Sequence, residues 1–309
     1  MTTGVFRYLD PATITPDTKP WSKVDIDATS FARTERRRSV TDIRSSGETE
    51  FGTDISGFSV HLLPAIEKSF TDDTAVREGY YAEVDALLRA KLPAGDKIKK
   101  IVIFDHTIRK HDPSSPRQPV QQVHVDQTPG AAAARVRRHV FPPEEAESLL
   151  KGRYQIINVW RPIGHPATDF PLAVIDWRTT STEDKRDLVK VDLLYPLRNR
   201  DGDGDDRGKE VLPDLTTIGS TEGYEVKGET YAVQPSERHK FYYVKDMTPD
   251  EVMFIKCFDS WSEGQEGGQG RKGIAGLTPH TAFVDPDTPQ GTKGRESIEV
   301  RCLIFYDSE

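Results

Sequence analysis

From residue 97 onward the chain is a succession of short apolar stretches broken by proline and glycine turns, and this feature constrains the fold most. The stretches are rich in β-branched and aromatic residues, which is typical of strands. Helical stretches do not alternate with them, so the pattern favours a barrel or a double-sheet jelly roll over βαβ units. The predicted strands are KIKKIVIFDHTIR (97–109), VQQVHVD (120–126), YQIINVWRPI (154–163), LAVIDW (172–177), ETYAV (229–233), KFYYVKD (240–246), EVMFIKCFDS (251–260), HTAFVD (280–285) and SIEVRCLIFY (297–306).

The rest of the chain predicts how this β core is covered. Residues 1–96 predict an irregular N-terminal wrap that becomes partly helical towards its end. PPEEAESLLKG (142–152) has the prolines and acids of a helix start and the glycine of a helix stop. Residues 198–228 predict a mobile acidic insertion. We therefore expect one domain over 1–309, mainly β with flanking helices, and with its jelly-roll core at 97–306.

Composition limits the partners and the compartment. The formal net charge of −8 and a pI near 5.6 argue against a nucleic-acid partner, because nucleic-acid backbones attract basic surfaces. No apolar run approaches the roughly 18 residues of a membrane span, and the N-terminus lacks a signal-peptide pattern. Cys257 and Cys302 stand in apolar stretches and predict buried free thiols of a reducing compartment. We expect a cytoplasmic protein that acts on a small molecule, and favour a homodimer although no clear apolar stripe marks an interface.

The candidate for chemistry is the pair His124-Val125-Asp126 at the end of a predicted strand. Residues i and i+2 of a strand project from the same face, so both side chains can reach one metal ion. Iron(II) enzymes that activate O2 commonly use two histidines and one carboxylate, and leave the other coordination positions open. Chance alone gives about one His-x-Asp or His-x-Glu pair in a chain of this composition. The pair therefore indicates a metal site only if a third ligand is found.

Two histidines remain as candidates for that third ligand, His239 in SERHKFYYV and His280 in LTPHTAFVD. Fifteen residues after His280 comes Arg295-x-Ser297, at the start of the last strong strand. A guanidinium and a hydroxyl at that place can bind the distal carboxylate of a 2-oxo acid. His239 is followed by no such pair, so His280 is preferred.

The last strand presents a polar face that includes Arg295, Ser297, Glu299 and Arg301. Such a face belongs either in a polar cavity or on a salt-bridged outer surface. The order of His124, Asp126 and His280 along the chain favours the cavity.

Six motifs in order carry a resemblance: HVDQTPGAAAARVRRHV, IINVWRPI, PLAVIDW, IKCFDS, TPHTAF and RESIEVR. Over roughly residues 97–306 the chain resembles the gibberellin-desaturase-like family, which includes aspergillic-acid-type hydroxylases and desaturases of secondary metabolism. The resemblance implies a double-stranded β-helix (a cupin-like jelly roll), Fe(II) bound by His124, Asp126 and His280, and 2-oxoglutarate bound by Arg295 and Ser297. It also implies hydroxylation, desaturation or oxidative cyclisation at an unactivated C–H with O2, giving succinate and CO2.

Three further residues are assigned to the cofactor site. Arg301 shares the polar face of the last strand, and Asn158 and Arg161 can reach the site from a neighbouring inner strand, or else pack in the core. Three alternatives to the main interpretation stay open. One is an iron dioxygenase that needs no 2-oxo acid, another is a silent jelly-roll binding protein or one with a structural zinc, and the third is a helper subunit.

Overall fold

The computed structural model describes residues 1–24, 26–47, 50–180, 187–197, 218–263 and 269–307. Within these ranges the chain forms fourteen strands and four α-helices, with a π-helical turn at Val76–Tyr80 joining the first two helices. The helices are α1 (Asp73–Ala75), α2 (Tyr81–Lys91), α3 (Pro129–His139) and α4 (Pro143–Leu149). The strands are β1 (Thr2–Leu9), β2 (Trp21–Lys23), β3 (Arg33–Asp42), β4 (Phe58–Leu62), β5 (Ile98–Lys110), β6 (His124–Val125), β7 (Tyr154–Pro162), β8 (Leu172–Ile175), β9 (Leu188–Pro196), β10 (Tyr224–Val233), β11 (Phe241–Tyr243), β12 (Glu251–Asp259), β13 (His280–Ala282) and β14 (Glu296–Tyr306).

The described strands form two sheets that face each other. One has the order β1-β3-β11-β8-β13-β6-β10-β9-β2, and the other has the order β4-β12-β7-β14-β5. Side chains of both sheets meet in one buried cluster, where Val174 and Tyr242 pack with Trp160, Met253 and Ile255. This is the predicted mainly-β jelly roll, and the fold prediction is confirmed.

The N-terminal wrap is the clearest difference from prediction. β1 and β3 pair antiparallel from Thr2↔Val40 to Leu9↔Arg33, and they extend the larger sheet. On β1 the buried residues alternate with exposed ones, and Phe6 and Tyr8 reach the core. The arginines and threonines of this region conceal the alternation, because a sheet-edge strand keeps one polar face. The prediction of an irregular N-terminal wrap was therefore wrong for these two strands.

Only part of the predicted insertion at 198–228 lies within the described residues. Residues 198–217 lie outside the described residues, whereas Tyr224 and its successors begin β10, which pairs with β9. The end of the predicted insertion is thus a strand.

The two faces of the smaller sheet have different partners. On β7 and β14, Ile157, Val159, Val300 and Cys302 pack with α2 in one buried cluster. The alternate residues of both strands project towards the larger sheet, because side chains alternate between the faces of a strand. This inner face carries Asn158 and Arg301, which are paired directly across the two strands. Helix α2 therefore covers the outer face of the smaller sheet, and the polar side chains lie between the two sheets.

The thiols of Cys257 and Cys302 are free and buried, as predicted. None of the helices in the described part of the chain is long and apolar enough to cross a membrane.

A buried ionic network fastens the loop before β4 to the smaller sheet. The Lys256 ammonium, whose side chain is 0% exposed, lies 2.6 Å from Asp54 Oδ1 and 2.7 Å from Asp259 Oδ2. Arg153 Nη2 lies 2.8 Å from the same Asp259 oxygen. Burial opposes ionisation of Asp259, but the charges of Lys256 and Arg153 outweigh it and lower its pKa to about 2.

Replacing Lys256 by methionine is expected to lower the free energy of unfolding by about 3–5 kcal/mol, because it leaves buried carboxylates without one of their cations. Urea denaturation measures the change. The matched control is Lys100→Met, because Lys100 forms a half-exposed pair with Glu145 that should contribute at most about 1 kcal/mol. Equal losses in the two variants would contradict the prediction.

Candidate metal and co-substrate site

Adjacent short strands bring His124 and His280 together. β13 and β6 pair antiparallel, with His280 directly opposite His124. Their ring centroids are 4.5 Å apart. His280 is 4% exposed, and His124 is partly buried. The two imidazoles therefore project from the same face of the larger sheet towards the smaller one.

Each imidazole has one ring nitrogen engaged by the backbone. His124 Nδ1 donates to the Gln122 carbonyl at 2.8 Å, and His280 Nδ1 donates to the Thr278 carbonyl at 3.0 Å. A carbonyl only accepts, so each Nδ1 carries the proton and each Nε2 of a neutral ring keeps its lone pair. Burial, together with the neighbouring His124, lowers the pKa of His280 and keeps it neutral. Both Nε2 atoms are thus prepared as metal ligands.

Asp126 follows β6 at the point where the chain turns into α3. Thr128 caps that helix by accepting from Ala131 N, and Pro129 occupies the first helical turn, which fixes the direction of the turn. Asp126 Oδ1 lies 3.4 Å from His124 Nε2 and 3.8 Å from His280 Nε2. One ligand atom from each of the three residues lies within 4.8 Å of the others. The residues predicted from sequence as a triad come together in space.

Asp126 is also held from the opposite sheet. Asn158 Nδ2 donates to its Oδ2 at 2.8 Å, and Arg301 Nε donates to the same oxygen at 3.1 Å. Burial opposes ionisation of Asp126, but the Arg301 charge and the two histidines lower its pKa well below the usual range. The carboxylate is therefore charged and oriented, with Oδ1 facing the imidazoles.

This donor set fits Fe(II). Two neutral imidazoles and one carboxylate on one side are the ligands of non-haem iron oxygenases, and the other side can accept exogenous ligands. A structural zinc would require a fourth protein ligand. Within the described residues, the cluster that could hold a metal at this place consists of three protein ligands. The geometry therefore favours an open catalytic site over a structural one.

Arg295 lies further along the same inner face. It is 3% exposed, and its Nη1 donates to the Phe170 carbonyl at 2.6 Å. Its guanidinium carbon is 5.5 Å from the centre of the Trp160 ring. Trp160 is paired with Glu299 across β7 and β14, and Glu299 is two residues from Arg301. Because the Arg295 guanidinium lies over Trp160, the Arg295 side chain extends along β14 in the direction of the triad. Its buried Nε has no hydrogen-bond partner in the described part of the chain.

A second guanidinium lies beside it. Arg109 on β5 is paired directly with the buried Ser297 on β14, and its Nη1 donates to the Gln118 carbonyl at 3.1 Å. Burial together with the charge of Arg109 lowers the pKa of Arg295 to about 9. Both groups stay cationic at neutral pH, and together the buried Arg295 and the half-buried Arg109 form a positive region that suits an anion.

Arg161 and His239 are placed elsewhere. Arg161 is on the outer face of β7, where its Nε donates to the Tyr80 hydroxyl at 2.8 Å and its Nη1 donates to the Pro249 carbonyl. The structure does not bring Arg161 to the triad, because residues 158 and 161 of one strand point to opposite faces. His239 Nδ1 lies 3.2 Å from the Tyr8 hydroxyl, and its Nε2 lies 3.3 Å from Asp187, so it contacts neither His124 nor Asp126.

Comparison with known proteins gives the family. A family model described as "Oxidoreductase/YMDC permease-like domain" matches residues 6–305. A hydroxylase/desaturase of Hormonema carpetanum is 31% identical over 287 residues, which cover 87% of this chain and 83% of that protein. The chain belongs to this hydroxylase/desaturase family. The oxygenase is also 36% identical over 184 residues to aspirochlorine biosynthesis protein N of Aspergillus oryzae, an alignment that spans 59% of this chain and 60% of that protein.

Solved structures agree with this assignment. An iron and α-ketoglutarate-dependent endoperoxidase, NvfI, superimposes on the oxygenase with a TM-score of 0.70 and 26% identity, covering 99% of this chain and 98% of that one. The predicted family, and its class of hydroxylases and desaturases, are confirmed.

Sequence reasoning missed Arg109, although the oxygenase sequence contains a signal for it. Asp105, Thr107 and Arg109 alternate along IFDHTIR and lie opposite Arg301, Glu299 and Ser297 in the sheet. The period-2 alternation that identified the polar face of the last strand identifies this one as well.

Proposed function

We propose that this chain is an Fe(II)- and 2-oxoglutarate-dependent oxygenase that oxidises an unactivated C–H bond of a small molecule of secondary metabolism. One observation carries the proposal. His124 Nε2, His280 Nε2 and Asp126 Oδ1 converge, while the other polar atoms of all three side chains are bound by the protein. Such an arrangement leaves one donor atom per residue directed at a common point.

The chain's own residues bind and orient the cofactors. His124, Asp126 and His280 would hold Fe(II), and Arg295 and Ser297 would hold the distal carboxylate of 2-oxoglutarate, with Arg109 adding a second cation. When bound, iron and 2-oxoglutarate supply O2 activation coupled to oxidative decarboxylation, which yields succinate and CO2. The facing sheets and α2 exclude water from behind the site, which strengthens these charge contacts.

An iron dioxygenase without a 2-oxo acid is the main alternative. Such an enzyme has no use for two neighbouring guanidinium groups, of which Arg295 is buried and has an Nε without a hydrogen-bond partner among the described residues, an arrangement that is costly. The pair Arg295 and Arg109 therefore favours the 2-oxoglutarate-dependent mechanism.

Calorimetric titration of 2-oxoglutarate into Mn(II)-loaded protein tests the proposal, because Mn(II) replaces Fe(II) without oxidising in air. We expect binding that depends on the metal and is much weaker for glutarate, which lacks the chelating 2-oxo group. Metal-loaded protein that does not bind 2-oxoglutarate would contradict the proposal and favour the alternative enzyme.

A further inference from the structure

The two oxygens of Asp126 have different surroundings. Oδ1 faces the imidazoles, with His124 Nε2 at 3.4 Å and His280 Nε2 at 3.8 Å. Oδ2 faces the smaller sheet and accepts from Asn158 Nδ2 at 2.8 Å and from Arg301 Nε at 3.1 Å. Two donors occupy the lone pairs of Oδ2 that a cation would use.

Arg301 is itself fixed on three sides. Its Nη1 donates to Asp105 at 3.2 Å and to the Thr107 hydroxyl at 2.9 Å, and its Nη2 donates to Glu299 at 2.5 Å. The guanidinium is planar, so these contacts on both Nη atoms also fix the direction of Nε. The surrounding carboxylates outweigh the effect of burial and raise the pKa of Arg301, so the group remains a cation.

Asn158 is fixed in the same way by its strand. It is 0% exposed and is paired directly with Arg301 across β7 and β14. Its Nδ2 faces Asp126, because the opposite orientation of the amide would direct an oxygen at the carboxylate. Its Oδ1 is buried without a hydrogen-bond partner in the described part of the chain, an arrangement that packing alone does not require.

We propose that Asn158 and Arg301 restrict Asp126 to binding the metal through one oxygen, and so keep a coordination position open. Carboxylates bind cations with one oxygen or with both. With one oxygen, the triad leaves three positions of an octahedral ion open; with two, it leaves two, and a chelating 2-oxo acid occupies both. Asn158 and Arg301 are then positioning residues for the metal ligand, not co-substrate ligands. This inference rests on the proposed metal site.

Counting the water ligands of Mn(II)-loaded protein tests the inference. The electron paramagnetic resonance lines of Mn(II) broaden in ¹⁷O-enriched water in proportion to the number of bound waters. We expect three waters in the wild type and two in the double variant Asn158→Leu/Arg301→Lys, with Mn(II) affinity weakened by no more than about 10- to 100-fold. Asn158→Leu alone removes the shorter hydrogen bond and should move the count in the same direction, which keeps the test valid if the double variant does not fold.

The matched control is Arg161→Lys, the same type of change on the outer face of the same sheet, which should keep three waters. Three waters in the wild type and in both Asn158 variants would overturn the inference, as would two in the wild type. If the proposed metal site itself were wrong, His280→Ala would bind Mn(II) with the same affinity as the wild type. This outcome is distinct from those that test the role of Asn158 and Arg301.

Discussion

Replacing His280 by alanine is expected to weaken Fe(II) binding by more than about 100-fold and to abolish 2-oxoglutarate-dependent turnover. Loss of an outer-shell partner typically weakens metal affinity by about 10- to 100-fold, and loss of a direct ligand should exceed that. His280 is buried and its Nδ1 is held by the Thr278 carbonyl, so its Nε2 is fixed in the position of a metal ligand that alanine cannot supply. Competition with a fluorescent chelator under anaerobic conditions measures the affinity.

His239→Ala is the matched control, because it removes another buried histidine, which lies in the turn before β11 of the larger sheet. His239 contacts Tyr8 and Asp187, so its loss should lower stability and leave Fe(II) affinity within about twofold of the wild type. If His239→Ala abolished Fe(II) binding in folded protein, or His280→Ala preserved it, the assigned triad would be wrong.

Replacing Arg295 by leucine is expected to raise the Kd for 2-oxoglutarate by at least about 30-fold and leave Fe(II) affinity nearly unchanged. Removing one partner of a buried, hydrogen-bonded charge pair costs about 2–5 kcal/mol, and each 1.4 kcal/mol corresponds to about tenfold. Arg295 reaches the inner face beside Trp160 and does not contact Asp126, so the change should separate co-substrate binding from metal binding. Calorimetric titration of the Mn(II)-loaded protein measures the Kd.

Ser297→Ala should have a smaller effect than Arg295→Leu, because one hydrogen bond from a neutral hydroxyl to a charged group contributes about 1.5–3 kcal/mol. Arg137→Gln serves as the control, since Arg137 is exposed on α3 and pairs with Glu147 away from the inner face. An unchanged Kd for Arg295→Leu would remove Arg295 from the co-substrate site and leave Arg109 as the candidate cation.

Most strands of the β core were predictable because they carry enough apolar side chains to be recognised, but β9 (Leu188–Pro196) was missed and β10 begins at Tyr224, five residues before the predicted stretch ETYAV. The N-terminal strands were not predicted. In β3, five of the eight residues of RTERRRSV are charged, and only Val40 is fully buried. Helix α3 was missed because its small and basic residues resemble a solvated basic cluster, whereas Ala132 and Val136 in fact pack into the core. At such places tertiary contacts override local composition.

Those site residues were predictable whose position follows from the alternation of side chains along a strand. The two-residue spacing identified His124 and Asp126, although Asp126 lies just past the end of β6, and the polar face of the last strand follows from the same period. The same rule, applied to β7, separates Asn158 from Arg161 and would have removed Arg161 from the predicted site. That His280 lies opposite His124 depends on the pairing of two very short strands, which local sequence does not specify.

Anaerobic titration with Fe(II) and then 2-oxoglutarate tests the central claim most directly, because a visible charge-transfer band forms when 2-oxoglutarate chelates iron at an open site. The wild type and His239→Ala should show the band, His280→Ala should lack it, and Arg295→Leu should require much more 2-oxoglutarate to reach it. Folded wild-type protein that binds Fe(II) and shows no band at saturating 2-oxoglutarate would contradict the assignment of this site to 2-oxoglutarate-dependent chemistry.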